Sequence, residues 1–332
     1  MTRELASWLQ ARLVCPRDQR PLVADSAGLR CSAEHFFRFS HDIPVLLLTD
    51  EESTHPELKP TGERKRAEGE WGEEPLTAND VDSYVQEKVT GTCGNLYQPL
   101  VRKLPRYPIP DLRVVPQDGR EKAFLDIGCN WGRWSVAASR LGYDVVGIDP
   151  MLDALSAARR VAEQLGSQAE FISADARWLP FADSSFDVVF SYSVFQHFRK
   201  DDVRTALDEI SRVLVPGGLS VIEMPTAAGL RNLYVRARRK LVAEHLAPLD
   251  FHVRYWPLRE LVETFTSRVG PTHVEVDSFF FINGQPADRD LFPKRYKAAL
   301  TASELLRKAA TRVPSLAWIA DSVYLASRKV AT

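Results

Sequence analysis

At 332 residues, with 45% hydrophobic and 26% charged content, the chain is long enough for a full α/β domain plus a smaller appendage. A formal net charge of -1 supplies no overall attraction to nucleic acid or to anionic membranes. No run reaches the roughly 18 consecutive apolar residues of a spanning helix, and a start that carries Glu4 without an apolar core does not read as a secretory signal.

Residues 1–50 are compact, with short apolar runs and turn signals, ending in Ile43-Pro44-Val45-Leu46-Leu47-Leu48. Residues 51–80 are mostly Glu, Lys, Arg, Pro, Thr and Gly, with almost nothing to bury, and read as a charged linker. Residues 81–118 are expected to form a helical lid, with Tyr84, Gln86, Asn95 and Tyr97 as its candidate ligand contacts. From 119 to 332 strands and helices alternate. Ala123–Ile127 is a short apolar strand, 133–141 a helix, and Val145–Asp149 a second strand. Leu152, Leu155, Ala158, Val161 and Leu165 recur at helical spacing. Phe171-Ile172 centres a third strand and Phe186–Phe190 a fourth; Val203, Leu207, Ile210 and Leu214 mark a helix that Pro216-Gly217-Gly218 is expected to stop. Leu219–Ile222 follows as a fifth strand, then a helix through Leu258, Leu261, Val262 and Phe265. Two late runs, 273–282 and 321–328, are expected to pair antiparallel at the sheet edge. The fold class is α/β: a Rossmann-like, seven-stranded, mostly parallel sheet with helices on both faces, plus a small amino-terminal module.

Open sheets of this kind bind ligands beyond the carboxyl ends of their strands, where the strand order reverses. After strand one comes Asp126-Ile127-Gly128-Cys129-Asn130-Trp131-Gly132, whose glycines let backbone approach a ligand. Strand two ends in Asp149, where a carboxylate can accept ribose hydroxyl protons. Asp175-Ala176 follows strand three, and Leu179-Pro180-Phe181 precedes Phe186-Asp187-Val188-Val189. With Ile210–Gly218 these motifs, over roughly 120–225, resemble those of class I S-adenosylmethionine (SAM)-dependent methyltransferases. Each aspartate alone has a plain alternative as a turn or helix cap; their joint order does not.

The resemblance implies SAM as cofactor. Gly128, Cys129, Asn130 and Gly132 would face its methionine part, Asp126 its ammonium, and Asp149 its ribose. Pro150 and Met151 would flank the adenine, Asp175 and Ala176 would read its edge, and Ser191 would offer a carbonyl to the amino-acid moiety. Methyl transfer is an in-line displacement that needs alignment more than side-chain chemistry. His197 is the candidate base or acceptor-positioning residue, with a packed structural histidine as the alternative. Tyr192, Gln196, His252 and Arg254 are candidate acceptor contacts, the last two equally readable as the polar tips of a packed edge. The run Arg231, Arg236, Arg238, Arg239, Lys240 reads as a solvated helix face, or as a site for an acidic acceptor.

Near the amino end, Cys15, Asp18, Cys31 and His35 form C-x2-D-x12-C-x3-H. The module is similar to the zinc ribbon that heads bacterial rRNA guanine N1-methyltransferases, with Asp18 where a cysteine is usual. A structural zinc held by these four residues and a metal-free relic of the same fold are both open readings. Too few for a disulfide framework, the four cysteines suggest a reducing cytoplasm. The expected activity is methyl transfer to oxygen or nitrogen of a small-molecule or glycan-type acceptor, with nucleic acid disfavoured as a partner and no membrane insertion. The rivals are an rRNA or tRNA methyltransferase and a SAM-binding protein without transferase activity.

Overall fold

The computed structural model describes residues 5–25, 28–48, 80–229, 231–234, 237, 253–280 and 284–330. The charged linker falls outside these residues apart from Asp80, as do His252 and, from the basic run, Arg236, Arg238, Arg239 and Lys240.

The chain opens with a short helix, α1 (Ser7–Gln10), and four short strands, β1 (Val23–Ala24), β2 (Gly28–Arg30), β3 (Phe36–Ser40) and β4 (Ile43–Pro44). These strands form an antiparallel sheet in the order β1-β2-β3-β4. Helix α2 (Ser83–Cys93) follows, started by the Asp82 side chain, which accepts from the Tyr84 amide.

The large unit is built from β5 (Ala123–Ile127), α3 (Arg133–Arg140), β6 (Asp144–Ile148), α4 (Leu152–Gln164), β7 (Glu170–Ile172), β8 (Phe186–Ser191) and α5 (Lys200–Val213). It continues through β9 (Leu214–Pro225), α6 (Leu258–Arg268), β10 (Thr272–Ser278), α7 (Lys294–Ala310) and β11 (Ser322–Arg328). One seven-stranded sheet results, ordered β10-β11-β9-β8-β5-β6-β7. β9, β8, β5, β6 and β7 run parallel, whereas β11 is antiparallel to both its neighbours, the pairing expected for the two late strands. β5 is buried throughout, and β6 and β8 are buried apart from Asp144 and Asp187, as a sheet covered on both faces requires. Apolar residues of α5 and α6 (Val203, Leu207, Ile210, Leu261, Phe265) fill one face. Those of α3 and α4 (Trp134, Val136, Leu155, Val161) fill the other.

One element differs from its sequence reading. The helix over 200–213 ends at Val213, and Pro216-Gly217-Gly218 lies inside strand β9. Leu214 turns extended (ψ 139°), and Gly217 and Gly218 exchange 3.0 Å backbone hydrogen bonds with Lys329. A register shift against β8 between Phe186 and Val188 accommodates this stretch. Proline and glycine are thus tolerated where the ladder is already irregular.

From β5 the chain steps outward to β6 and β7, then returns to place β8 on the other side of β5. The carboxyl ends of β5, β6 and β8 therefore diverge around one crevice, where such sheets take their ligands.

Candidate functional site

A cavity opens at that crevice, walled by the β5–α3 loop, the ends of β6 and β7, the loop after β8 and the end of α2. Gly128, Cys129, Asn130, Asp149, Pro150, Met151, Asp175, Ala176, Tyr192 and His197, all expected from sequence, line it. Gly128 and Asn130 adopt left-handed backbone, with φ of +72° and +47°. At Gly128 a Cβ would stand 2.2 Å from a Val194 methyl, so the loop and the post-β8 segment meet at a spacing that only glycine allows.

Asp149 organises the loop. One carboxylate oxygen accepts from the Asn130 amide at 3.0 Å, the other from the Met151 amide at 2.9 Å. Burial outweighs these bonds and pushes its carboxyl up to about 6. Each oxygen keeps lone-pair capacity beyond these bonds, and Asp149 lines the cavity. Beyond β7, Asp175 is clamped by Arg177 at 3.0 Å, and Arg177 in turn reaches Asp202 at 3.2 Å while stacking on Trp178.

Three residues expected at the cofactor lie just beneath the wall instead. Asp126 is buried under the loop and accepts from the Ser135 hydroxyl at 2.7 Å; burial raises its carboxyl to about 7. The Ser191 hydroxyl donates to the Ile127 carbonyl at 2.8 Å, stitching β8 to β5. Gly132, at φ +78°, caps α3 against Phe171. None of the three is among the residues that line the cavity.

The residues of 81–118 singled out from sequence turn away from the cavity. Tyr84 is buried, Gln86 exchanges two 2.9 Å hydrogen bonds with the Leu104 backbone, and Tyr97 donates to Asp288 at 2.6 Å. Asn95 is exposed. Gly91 and Thr92 face the cavity in their place. Thr92 is tied to the loop by the Trp131 indole N–H at 2.9 Å and by an Arg133 Nη1 bond to its carbonyl at 3.2 Å.

Arg133 is the principal residue that the sequence reading missed. It lines the cavity, is only 3% exposed, and lies over the rings of Trp134 and Tyr192 at 5.1 and 5.9 Å. Among the described residues its Nε and Nη2 have no hydrogen-bond partner. A buried guanidinium with two such donors in a cavity has the chemistry to pair with an anion.

Beyond β8, His197 sits on a single 3-10 turn, its Nε2 3.2 Å from the Gln196 side-chain nitrogen, and it faces the cavity. Gln196 itself is turned to the Ser193 carbonyl at 3.1 Å. Arg254 receives the same turn: its amide donates to the Gln196 carbonyl at 2.8 Å and its guanidinium to the His197 carbonyl. It positions the turn and does not line the cavity. Ser193, another left-handed residue (φ +59°), gives both its amide and its hydroxyl to Glu223 at 2.9 and 2.8 Å. Burial and the nearby Asp277 push the Glu223 carboxyl upward, and Tyr192 donates to Asp277 at 3.2 Å.

In the amino-terminal sheet, Cys15, Asp18, Cys31 and His35 bring one donor atom each to within 4.8 Å of the others. His35 Nδ1 stands 3.4 Å from Cys15 Sγ, 3.6 Å from Cys31 Sγ and 3.4 Å from Asp18 Oδ2, and Cys31 Sγ lies 3.8 Å from Asp18 Oδ2. A tetrahedron with Zn–S of about 2.3 Å and Zn–N and Zn–O of about 2.0–2.2 Å has edges of about 3.3–3.8 Å. The donor set therefore fits zinc in chemistry and in spacing. Burial, with the Cys31 charge adding to it, raises the Cys15 thiol to about 11, a value a bound cation would lower.

Residues 124–218 match a family model described as a methyltransferase domain. A demethylmenaquinone methyltransferase of Thermus thermophilus is 46% identical over 107 residues, covering 31% of this chain and 48% of its own length. A protein of the same name from Clavibacter sepedonicus is 31% identical over 176 residues, covering 49% of this chain and 69% of its own. A ubiquinone biosynthesis O-methyltransferase of Cereibacter sphaeroides is 39% identical over 97 residues, 29% of this chain and 38% of its own. The chain spans about half the length of most of the curated relatives it matches.

Proposed function

The chain belongs to the SAM-dependent methyltransferase family, and we propose that it transfers a methyl group from SAM to oxygen or nitrogen of a small-molecule acceptor. The observation that carries this reading is Asp149, whose two oxygens are each held by a loop amide at the end of β6, on the wall of a cavity that Gly128, Asp175 and Thr92 also line. Relatives named for demethylmenaquinone and for ubiquinone biosynthesis favour a small acceptor over nucleic acid, as does the balanced net charge of -1.

Bound SAM would supply an electrophilic methyl group on a sulfonium. Asp149 would accept the ribose hydroxyls, Pro150 and Met151 would flank the adenine, and Asp175 with the Ala176 amide would read its edge. Arg133 would pair with the carboxylate of the methionine part through Nε and Nη2, the two donors without a partner among the described residues. The loop from Gly128 to Asn130 would lie along the same moiety. Trp134, Tyr192, Val194 and Phe198 would wall the acceptor side and exclude water, and the turn held by Arg254 would set His197 beside the acceptor, as a positioning group or as the base for a hydroxyl. Cys15, Asp18, Cys31 and His35 would hold a structural zinc.

Calorimetric titration with S-adenosylhomocysteine tests the reading without knowledge of the acceptor. The full chain should bind it, and Asp149→Ala should abolish binding while leaving a cooperative melt. A well-folded wild-type chain that binds neither S-adenosylhomocysteine nor SAM overturns the proposal.

A further inference from the structure

The four candidate zinc ligands sit on two legs of chain, and both legs grip the segment that walls the adenine side of the cavity. On the first leg, directly before Cys15, the Val14 amide donates to the Pro180 carbonyl at 3.0 Å and the Arg12 carbonyl accepts from the Ala182 amide at 2.8 Å. The Arg12 side chain adds a bond to the Ser185 carbonyl at 3.0 Å. On the second, the chain leaves Cys31 and His35 through β3 and β4 and arrives at residue 173. There the Leu46 amide donates to the Ser173 carbonyl at 2.7 Å, and the Ser173 amide to the Pro44 carbonyl at 2.9 Å. Between the two grips run Ala174, Asp175 and Ala176, all on the cavity wall. Leu13 and Leu46 share one apolar core with Ala174, Ala176, Leu179 and Phe181.

A sheet of four strands with two to five residues each has little core of its own. What fixes one leg relative to the other is then the cluster at which they meet, and a bound cation would displace the thiol protons and tie the four donors together with four bonds. We propose that zinc at Cys15, Asp18, Cys31 and His35 is thermodynamically coupled to nucleoside binding, because it sets the spacing of the two grips that frame Asp175. This rests on the SAM and zinc readings above and goes beyond them: the amino-terminal sheet becomes the outer frame of the adenine pocket rather than a separate recognition module. Coupling of this kind is reciprocal, so the ligand must tighten zinc by the same factor by which zinc tightens the ligand.

The test uses the full chain, zinc-loaded and chelator-stripped, titrated calorimetrically with S-adenosylhomocysteine and with 5′-methylthioadenosine, which keeps the nucleoside and lacks the amino acid. Stripping should weaken both ligands by a common factor, about 5- to 150-fold for typical coupling. Saturating S-adenosylhomocysteine should tighten zinc equally, read by competition with a chromophoric chelator. Equal ligand affinities in the two forms, or no zinc bound at all, overturn the proposal. A zinc-loaded chain that binds neither nucleoside overturns the cofactor reading itself. Should stripping melt the amino-terminal sheet, Arg12→Gln carries the test, since it keeps every zinc ligand and loses the bond to Ser185. Zinc affinity in the absence of ligand should hold and the reciprocal tightening should shrink; full tightening in that variant contradicts the route drawn here.

Discussion

Arg133 is costly to the free protein, because its guanidinium is taken from water and two of its donors find no partner among the described residues. Its two roles therefore separate by substitution. Arg133→Met, similar in reach and free of polar atoms, should raise the melting midpoint of the ligand-free chain and at the same time weaken S-adenosylhomocysteine. Arg133→Gln should weaken it about ten- to a hundredfold, the range for a hydrogen bond to a charged group, and leave 5′-methylthioadenosine untouched. Equal losses for the two ligands would place Arg133 away from the carboxylate. Asp149 adds a pH signature. The form that accepts ribose hydroxyls is the carboxylate, and burial holds the folded carboxyl at about 6. Affinity for S-adenosylhomocysteine should climb as pH rises through about 6 and level off above it. Stability moves the opposite way, since a folded value raised above the ordinary 3.8 favours the native state at low pH. That contribution is complete below pH 3.8 and lost as pH rises to about 6, and Asp126 extends the loss to about 7. Titrations and melts between pH 4 and about 8 read both trends, and a flat affinity profile would remove Asp149 from the ribose.

At the level of elements, the sheet and its glycine loop were legible because their signal is local. An apolar run of strand length, a glycine where backbone turns left-handed and an acidic strand end each show in a few letters: Ala123–Ile127, Gly128, Asp149. What a few letters do not carry is orientation around helices. In α2 the aromatic and amide residues Tyr84 and Gln86 serve internal packing, and the small Gly91 and Thr92 approach the cavity. Arg133 was invisible for the same reason: an arginine in the first turn of a helix reads as solvated, and only the fold of α2 over α3 buries it. Asp126 was legible as important but not as to role, since residues one carbonyl apart on a strand face opposite sides. It braces Ser135 from below, while the neighbouring backbone meets the cavity. Pro216-Gly217-Gly218 misled because proline and glycine stop a helix and also mark an irregular strand start, and only pairing with Lys329 decides between the two.

For the whole molecule, the seven-stranded sheet has two ends that are finished differently. At β10 the ladder carries a register shift between Val276 and Ser278, which spoils that edge as a template. At β7 there is no such device. Just past its end the amino-terminal chain bridges from Val45 to Ser173, and Leu9, Leu13 and Leu46 lie in the apolar core. Residues 5–48 thus act as a molecular shutter over an otherwise adhesive strand. A chain beginning after residue 48 would keep Asp149, Arg133 and the whole glycine loop, yet present bare backbone at β7 and uncovered Leu179 and Phe181. Such a truncation should self-associate on size exclusion at concentrations where the full chain elutes as a single smaller species; identical elution would mean that the edge guards itself.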